Sequence, residues 1–445
     1  MKIMQDKEIV VWDESRPAAS GLTEAAPHAP SVGDGAAGPQ LAVSGLWMAL
    51  YTLANIGYWL AVITPGVISL PLKVTSLVGP EQAPAALGIV AVAGPAIALI
   101  ATPVFGRLSD RTTSRLGRRR PYLLLNPLIG VVGAVVGGLA PNIAVLAVGY
   151  GLLAIGFTGS FGALAPVVAD RVPVNQRGLV SGLIGISVPV GLVGGTFVVQ
   201  YIATDPMLPL AVPAAMGAIL IIMFGVYMKD ARLAPESRPA ASWRSLPATF
   251  WVNPRRYPDF AWAWWGRALL LLAYALLTLY QTFFLIDRLG IPASEVANYV
   301  FLSMLVLSVT MVASSIIGGR LSDVMGRRKP FIIGSAVIYG AALLVIATST
   351  TFTQFLIGIA ITGLGNGAYT AVDAALATQV LPNPDDTAKD LGVFNIAATF
   401  PNAAAPAIAP VILAIGGGNY TVLFAVAGVI AIISALAIVP IRGVR

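Results

Sequence analysis

Two residues inside long apolar runs carry most of the chemistry open to this sequence. Asp373 lies in "GAYTAVDAAL" and Arg267 in "WAWWGRALLLL". Ionisable groups at membrane depth are costly and mark substrate pathways or proton relays. Of the 20 acids, 19 fall in predicted tails, loops or helix ends, and of the 27 bases only Arg267 lies inside a run. Arg267 is eight residues past a predicted helix start near Asp259, and Asp373 is eight residues before a predicted helix end near Leu381. At 1.5 Å per residue, each is ~12 Å from the same end of the bundle. Matched depth and opposite charge predict that the two approach one another. Asp373 is then the proton-titrating acid, and Arg267 competes with the proton for the carboxylate. A permanently fixed pair would instead be structural, and Arg267, just above Trp262, Trp264 and Trp265, could snorkel to the interface.

Other chemistry is scarce. There is no cysteine, and the single histidine, His28, lies in an Ala/Pro/Gly-rich stretch. Thiol nucleophiles, disulfides and metal sites are therefore not expected, and no cofactor is expected either. One lone acid at depth does not make an enzyme. Polar residues within the runs point instead to a pathway for a small solute. They are Asn55, Tyr58 and Trp59 in "LANIGYWLAV", then Tyr280 and Gln281, Asn366 and Tyr369 ahead of Asp373, and Asn395 and Asn402 flanking Pro401. Tyr51, Asn55 and Tyr58 share one helix face at spacings of four and three. Aromatic rings beside amide hydrogen-bonders suit sugars, whose ring faces stack while their hydroxyls are satisfied. The same residues would also serve helix–helix contacts.

The elements that must hold these residues are membrane spans. The chain is 57% hydrophobic and only 11% charged over 445 residues, with a mean hydropathy of +0.82. Runs of 18 or more apolar residues recur, the length a helix needs to cross a bilayer core. Strands are dismissed, since open backbone is not tolerated in lipid. The fold class is all-α and polytopic, with twelve helices near 44–70, 83–105, 122–140, 143–168, 179–202, 207–228, 259–286, 294–318, 331–348, 353–380, 391–414 and 419–440. Twelve spans put both termini on one side. That side holds 24 of the 27 bases, the opposite side only Lys73 and Arg288, so the positive-inside rule assigns the termini to the cytoplasm. Residues 1–43 read as a disordered cytoplasmic tail and not a signal peptide. Residues 44–228 form a first six-helix half, 229–258 a cytoplasmic linker rich in Pro, Arg, Ser and Trp, and 259–445 a second half.

The halves repeat. "GRLSD" at Gly106–Asp110 recurs at Gly319–Asp323, and "GRRRP" at Gly117–Pro121 recurs as "GRRKP" at Gly326–Pro330. Pro173 and Pro382 are 209 residues apart, as are Gly117 and Gly326. The pattern predicts an internal duplication of two parallel six-helix halves around a central pathway, the arrangement of major facilitator superfamily transporters. The motif residues Gly106, Asp110, Arg111, Gly117 and Arg118, with Gly319, Asp323, Gly326 and Arg327, resemble that family's loop-two/three and loop-eight/nine motif. The expanded first copy, "SDRTTSRLGRRRP", and "GAYTAVDAALATQVLP" resemble the sucrose–proton symporters and the related glycoside-pentoside-hexuronide cation symporters. The resemblance implies that the motif is a gate stabilising the outward-facing state. Arg118, Arg119 and Arg120 could equally fix topology and contact anionic lipid heads.

The expected function is alternating-access transport of a small polar solute, a sugar or glycoside, with the proton as coupling ion. Helices two and four contain no acid, so coupling would run through Asp373. "GISVPVGLVGG" resembles the glycine/proline motif of proton-coupled antiporters, though four residues separate Pro189 from Gly194 where that motif has two. Drug or metabolite efflux is therefore the alternative, as is an uncoupled uniporter. The expected partners are the solute, the proton and the bilayer of a plasma (inner) membrane. A short membrane-anchored loop offers little surface to a duplex, so nucleic acid is excluded. The expected functional unit is a monomer.

Overall fold

In lipid each backbone N–H and C=O must be satisfied within its own segment, so long apolar runs fold as helices. The computed structural model describes residues 42–234, 252–381 and 387–441. Among them are twelve helices long and apolar enough to cross a membrane, and no strand. They are α1 (Gly45–Val78), α2 (Ala83–Asp110), α3 (Arg120–Gly138), α4 (Ile143–Arg171), α5 (Val174–Val199) and α6 (Leu208–Tyr227). The second six are α7 (Pro258–Arg288), α8 (Val296–Met325), α9 (Lys329–Ala347), α10 (Phe352–Gln379), α11 (Thr387–Ile415) and α12 (Tyr420–Ile438). The expected tail and linker lie largely outside the described residues.

Local chemistry sets the helix ends. Side chains of Ser44, Asn142, Thr351 and Asn419 accept backbone N–H groups at the starts of α1, α4, α10 and α12, each satisfying a donor the helix leaves orphaned. Proline opens α2, α3, α6, α7 and α9, where its missing N–H costs nothing. Several helices outrun the sequence-based limits. The largest extension is α1, expected to stop near residue 70, which continues to Val78. Its last turns contain Lys73, read from sequence as a loop base. Lys73 is buried, and its Nζ donates to Gly138 O at the end of α3 at 2.5 Å, a favourable place for a cation.

We call the side holding both ends of the bundle the terminal side and the other the distal side. Helix α1 packs on α6 through Gly57 and Gly217, where an added Cβ on Gly57 would lie 2.8 Å from Gly217 O. Such backbone approach is the usual basis of helix association in lipid. The two halves meet on the distal side. Gly88 of α2 faces Pro406 and Pro410 of α11, and Phe197 of α5 meets Phe301 of α8 edge-on with ring centroids 5.4 Å apart.

The α1–α7 contact has a specific origin. Both helices contain a π-helical turn near the distal end, Pro65–Ser69 in α1 and Phe284–Arg288 in α7. The carbonyl of Val67 would ordinarily accept from residue 71, which is proline and has no N–H. Thr282 of α7 supplies the missing donor, its Oγ1 lying 2.9 Å from Val67 O. Two residues earlier, also near the distal end, Tyr280 donates to Pro84 O of α2 at 3.2 Å. Two hydroxyls of α7 thus latch the second half onto the first.

Candidate functional site

Arg267 and Asp373 are brought together. Arg267 Nη1 lies 3.0 Å from Asp373 Oδ2, and the side chains are 19% and 7% exposed. The contact is single. Asp373 Oδ1 and Arg267 Nε are buried and find no partner among the described residues. The guanidinium also sits over the Phe394 ring of α11, 4.8 Å from its centroid, a cation–π contact worth about 0.5–2 kcal/mol. Tyr369, one turn before Asp373 and buried, is its electrostatic neighbour. Removing either partner of so buried a pair costs about 3–5 kcal/mol. The arrangement can exchange partners: a proton on Asp373 discharges the pair, and Phe394 still offers the guanidinium a surface.

A second cluster lies at the terminal end of the first half. Arg119 is buried. Its Nε reaches Asp170 Oδ2 at 2.5 Å and its Nη2 reaches Asp110 Oδ1 at 2.9 Å, while Nη1 donates to Ser109 Oγ at 3.2 Å. Arg118 Nη2 joins Asp170 at 2.8 Å. The backbone N–H groups of Arg119 and Arg120 both donate to Asp230 Oδ2, at 2.6 and 3.1 Å, so an acid from beyond α6 holds the start of α3. Gly117 makes room for it: with φ at +103°, a Cβ there would meet the Asp230 carboxylate at 2.5 Å. Arg111 is half-buried, its Nε unpartnered, and Gly106 packs toward Gly162 of α4. All the described partners of Asp110 lie in its own half.

The second copy of the motif differs. Gly326 again has positive φ, +61°, and ends α8. Gly319 faces Ala371 of α10, while Asp323 and Arg327 are exposed. Asp323 forms no ion pair among the described residues. Position 379, which answers Asp170 at the 209-residue offset, is glutamine, so the acid that anchors the first network is missing. One function is kept in both copies. Arg120 Nη2 donates to Val226 O at 3.0 Å, and Lys329 Nζ donates to Val439 O and Ile441 O at 2.5 and 2.9 Å. Each base holds the end of the sixth helix of its half.

The remaining predicted pathway residues are placed unevenly. Asn55 is buried and donates to Tyr51 O of its own helix at 2.9 Å. Tyr58 stacks on Phe161 of α4 at 4.4 Å, with Trp59 edge-on at 4.9 Å. Tyr280 is part of the distal latch. Gln281 and Asn366 are buried, and their amide nitrogens donate only weakly, Gln281 to Thr278 O at 3.5 Å and Met304 Sδ at 3.6 Å, and Asn366 to Met311 Sδ at 3.5 Å. Asn395 and Asn402 are exposed on α11, and Asn402 donates to Ala398 O at 3.0 Å.

Comparison with known proteins decides the family. The model of the Major Facilitator Superfamily matches residues 41–314 and 302–444. The chain belongs to the Major Facilitator Superfamily. Its relatives include the sucrose transport protein SUT3 of Oryza sativa subsp. japonica, 33% identical over 117 residues. That match covers 25% of this chain and 21% of the rice protein, so the chain aligns with about a fifth of that relative's length. The general alpha-glucoside permease of Schizosaccharomyces pombe is 44% identical over 55 residues, 12% of this chain and 10% of that protein. The structure of the nucleoside transporter NupG superposes with a TM-score of 0.67 at 13% identity, covering 88% of this chain and 99% of that one, a likeness of fold alone.

The family to which the chain belongs is one of membrane transporters. Several residues of this chain escape sequence reasoning. Arg119 is indistinguishable in sequence from its neighbours Arg118 and Arg120, and only burial singles it out. Asp170 and Asp230 read as ordinary acids at helix ends. For Thr282 the usable signal is in another helix: Pro71 leaves the Val67 carbonyl short of one donor.

Proposed function

We propose that this transporter moves a sugar or glycoside across a plasma (inner) membrane by alternating access, coupled to protons through Asp373, with both termini in the cytoplasm. The observation that carries the coupling is the Arg267–Asp373 contact, 3.0 Å long and buried within the span region. The proton and the guanidinium compete for one carboxylate, so proton binding changes the charge distribution between α7 and α10. Two relatives named as a sucrose transporter and an alpha-glucoside permease favour a sugar, as do the stacked rings of Tyr58 and Phe161 beside Asn55. The concentration of bases on the terminal side supports a cytoplasmic assignment.

On this reading the Arg119 network keeps the terminal ends of α2, α3 and α4 together as a unit while the halves rock, and the protein works as a monomer. The test is a panel of radiolabelled sugars, α-glucosides and nucleosides on reconstituted protein, with and without an imposed pH gradient. Accumulation of a glucoside driven by an inward proton gradient is expected. Accumulation of a nucleoside, or of nothing sugar-like, overturns the substrate class, and gradient-independent equilibration overturns the coupling.

A further inference from the structure

Six buried side-chain atoms of α7, α9 and α10 lack a well-formed hydrogen bond among the described residues, the Tyr369 hydroxyl and the Asp373 carboxyl interacting only loosely with one another. They are Arg267 Nε, Gln281 Oε1, Tyr339 OH, Asn366 Oδ1, Tyr369 OH and Asp373 Oδ1. Buried polar atoms in native proteins are satisfied with few exceptions, so a concentration of this kind in one half needs an explanation. The residues are ordered. Asn366, Tyr369 and Asp373 follow one another at spacings of three and four, hence on one face of α10. Arg267, Tyr274 and Gln281 lie seven residues apart along one face of α7. The two faces meet at the Arg267–Asp373 pair. Further out, Gln281 and Asn366 both address α8, through Met304 and Met311, which are themselves seven residues and about 10 Å apart. Tyr339 of α9 closes the side, packed on Gly365 of α10 and an electrostatic neighbour of Tyr274.

We propose that these atoms line a hydrated column inside the C-terminal half, running from Gln281 to Asp373, which brings protons to Asp373 from the distal side. Gln281 and Tyr339 are fully buried, and Asn366, Tyr369 and Asp373 are at most 5% exposed. Side chains so fully covered offer no surface to a sugar, and only single waters would fit between the helices. A water donates to the amide and carboxylate oxygens, accepts from the phenols, and meets two to four partners as buried waters do. The column lies within one half, whereas the surface between the halves is shut on the distal side by Thr282–Val67 and Tyr280–Pro84. Proton access therefore does not require the halves to part. Gln281 is six residues, about 9 Å, below Asp287, an exposed carboxylate hydrogen-bonded to Tyr420 OH at 3.0 Å. The step at the inner end is a proton transfer from a hydronium to Asp373 Oδ1, leaving water behind and freeing Arg267 from the pair. The charged and titratable groups around Asp373 are Arg267 from α7 and Tyr369 from α10, with the Phe394 ring of α11 under the guanidinium; Tyr274 of α7 and Tyr339 of α9 neighbour one another. The inference rests on the reading that Asp373 titrates.

X-ray hydroxyl-radical footprinting of the full chain in nanodiscs tests it without a substrate, because radicals formed at bound water oxidise adjacent buried side chains. Met304 and Tyr339, both 0% exposed, should be labelled in the wild type, and that labelling should be lost in the Gln281→Leu/Asn366→Leu double variant. Labelling of Met304 and Tyr339 no greater than that of the equally buried Phe355 and Phe424 overturns the column, whether or not the double variant folds. The infrared carboxyl band that disappears in Asp373→Asn reads titration separately. A titrating band with no labelling overturns the column and leaves the coupling residue standing. Labelling with a band that never titrates overturns the column's role in proton delivery, together with the role proposed for Asp373.

Discussion

Thr282→Val removes one hydroxyl and almost no volume, and it addresses the latch that closes the distal side. In the closed arrangement Thr282 Oγ1 bonds Val67 O at 2.9 Å, and Pro71 cannot replace it because proline lacks an N–H. The variant therefore leaves a buried carbonyl without a donor, at a cost of about 1–3 kcal/mol. Once the distal side opens, water satisfies that carbonyl and the penalty disappears. The distal-open population should rise about 5- to 150-fold. Tyr280→Phe should shift it less, because Pro84 O sits in regular helix and does not depend on Tyr280. The chain has no cysteine, so a single reporter can be added on a clean background. Ala91→Cys, one turn below Gly88 on α2 and 3% exposed, is reached by a membrane-impermeant thiol reagent from the distal side only when the halves part. A labelling rate unchanged by Thr282→Val would refute the latch. A rate raised as much by Tyr280→Phe would refute the role assigned to Pro71.

Arg119→Met should destabilise the first half by about 2 kcal/mol, below the full cost of breaking a buried pair because Asp110 and Asp170 are 45% and 27% exposed. Thermal unfolding in detergent reads this, and Arg327→Met in the second copy should leave the midpoint unchanged. Asp205 accepts from the backbone N–H groups of Leu208 and Met207 and lies near Lys73, and these interactions hold its carboxyl below the usual carboxylate range. Its contribution is therefore complete above the ordinary carboxylate pKa and lost as pH falls through the lowered value. Asp205→Asn should lower the unfolding temperature at neutral pH, and the difference should vanish in strong acid. A difference that persists in acid would place the effect elsewhere.

The twelve spans were legible because a bilayer demands about twenty apolar residues per helix, a constraint that hardly depends on tertiary contacts. The helix ends were less so. Helix α1 runs past Pro71 because a π-helical turn absorbs the proline and Gly138 O accepts the Lys73 ammonium, and neither is visible in a hydropathy profile. The approach of Arg267 to Asp373 could be anticipated from depth and charge alone, since each is the lone group of its sign far inside a run. The motif was legible as a duplication, yet its working residues were not. Arg119 is set apart from Arg118 and Arg120 by burial between Asp110 of α2 and Asp170 of α4, both of which its guanidinium reaches. The second copy lacks the acid that answers Asp170, so identical letters at Gly106–Asp110 and Gly319–Asp323 have different surroundings. Asn395 and Asn402 share the residue type of Asn366 but are exposed on α11, because residue type does not reveal which face of a helix is covered.

The central claim is that Asp373 couples solute movement to the proton. Its direct test is Asp373→Asn in proteoliposomes, comparing glucoside accumulation under an inward proton gradient with gradient-free exchange of the same glucoside. Accumulation should fall to the level of passive equilibration while exchange persists, because the amide keeps the shape and removes the titration. Accumulation at the wild-type level, with its pH dependence intact, would contradict the account.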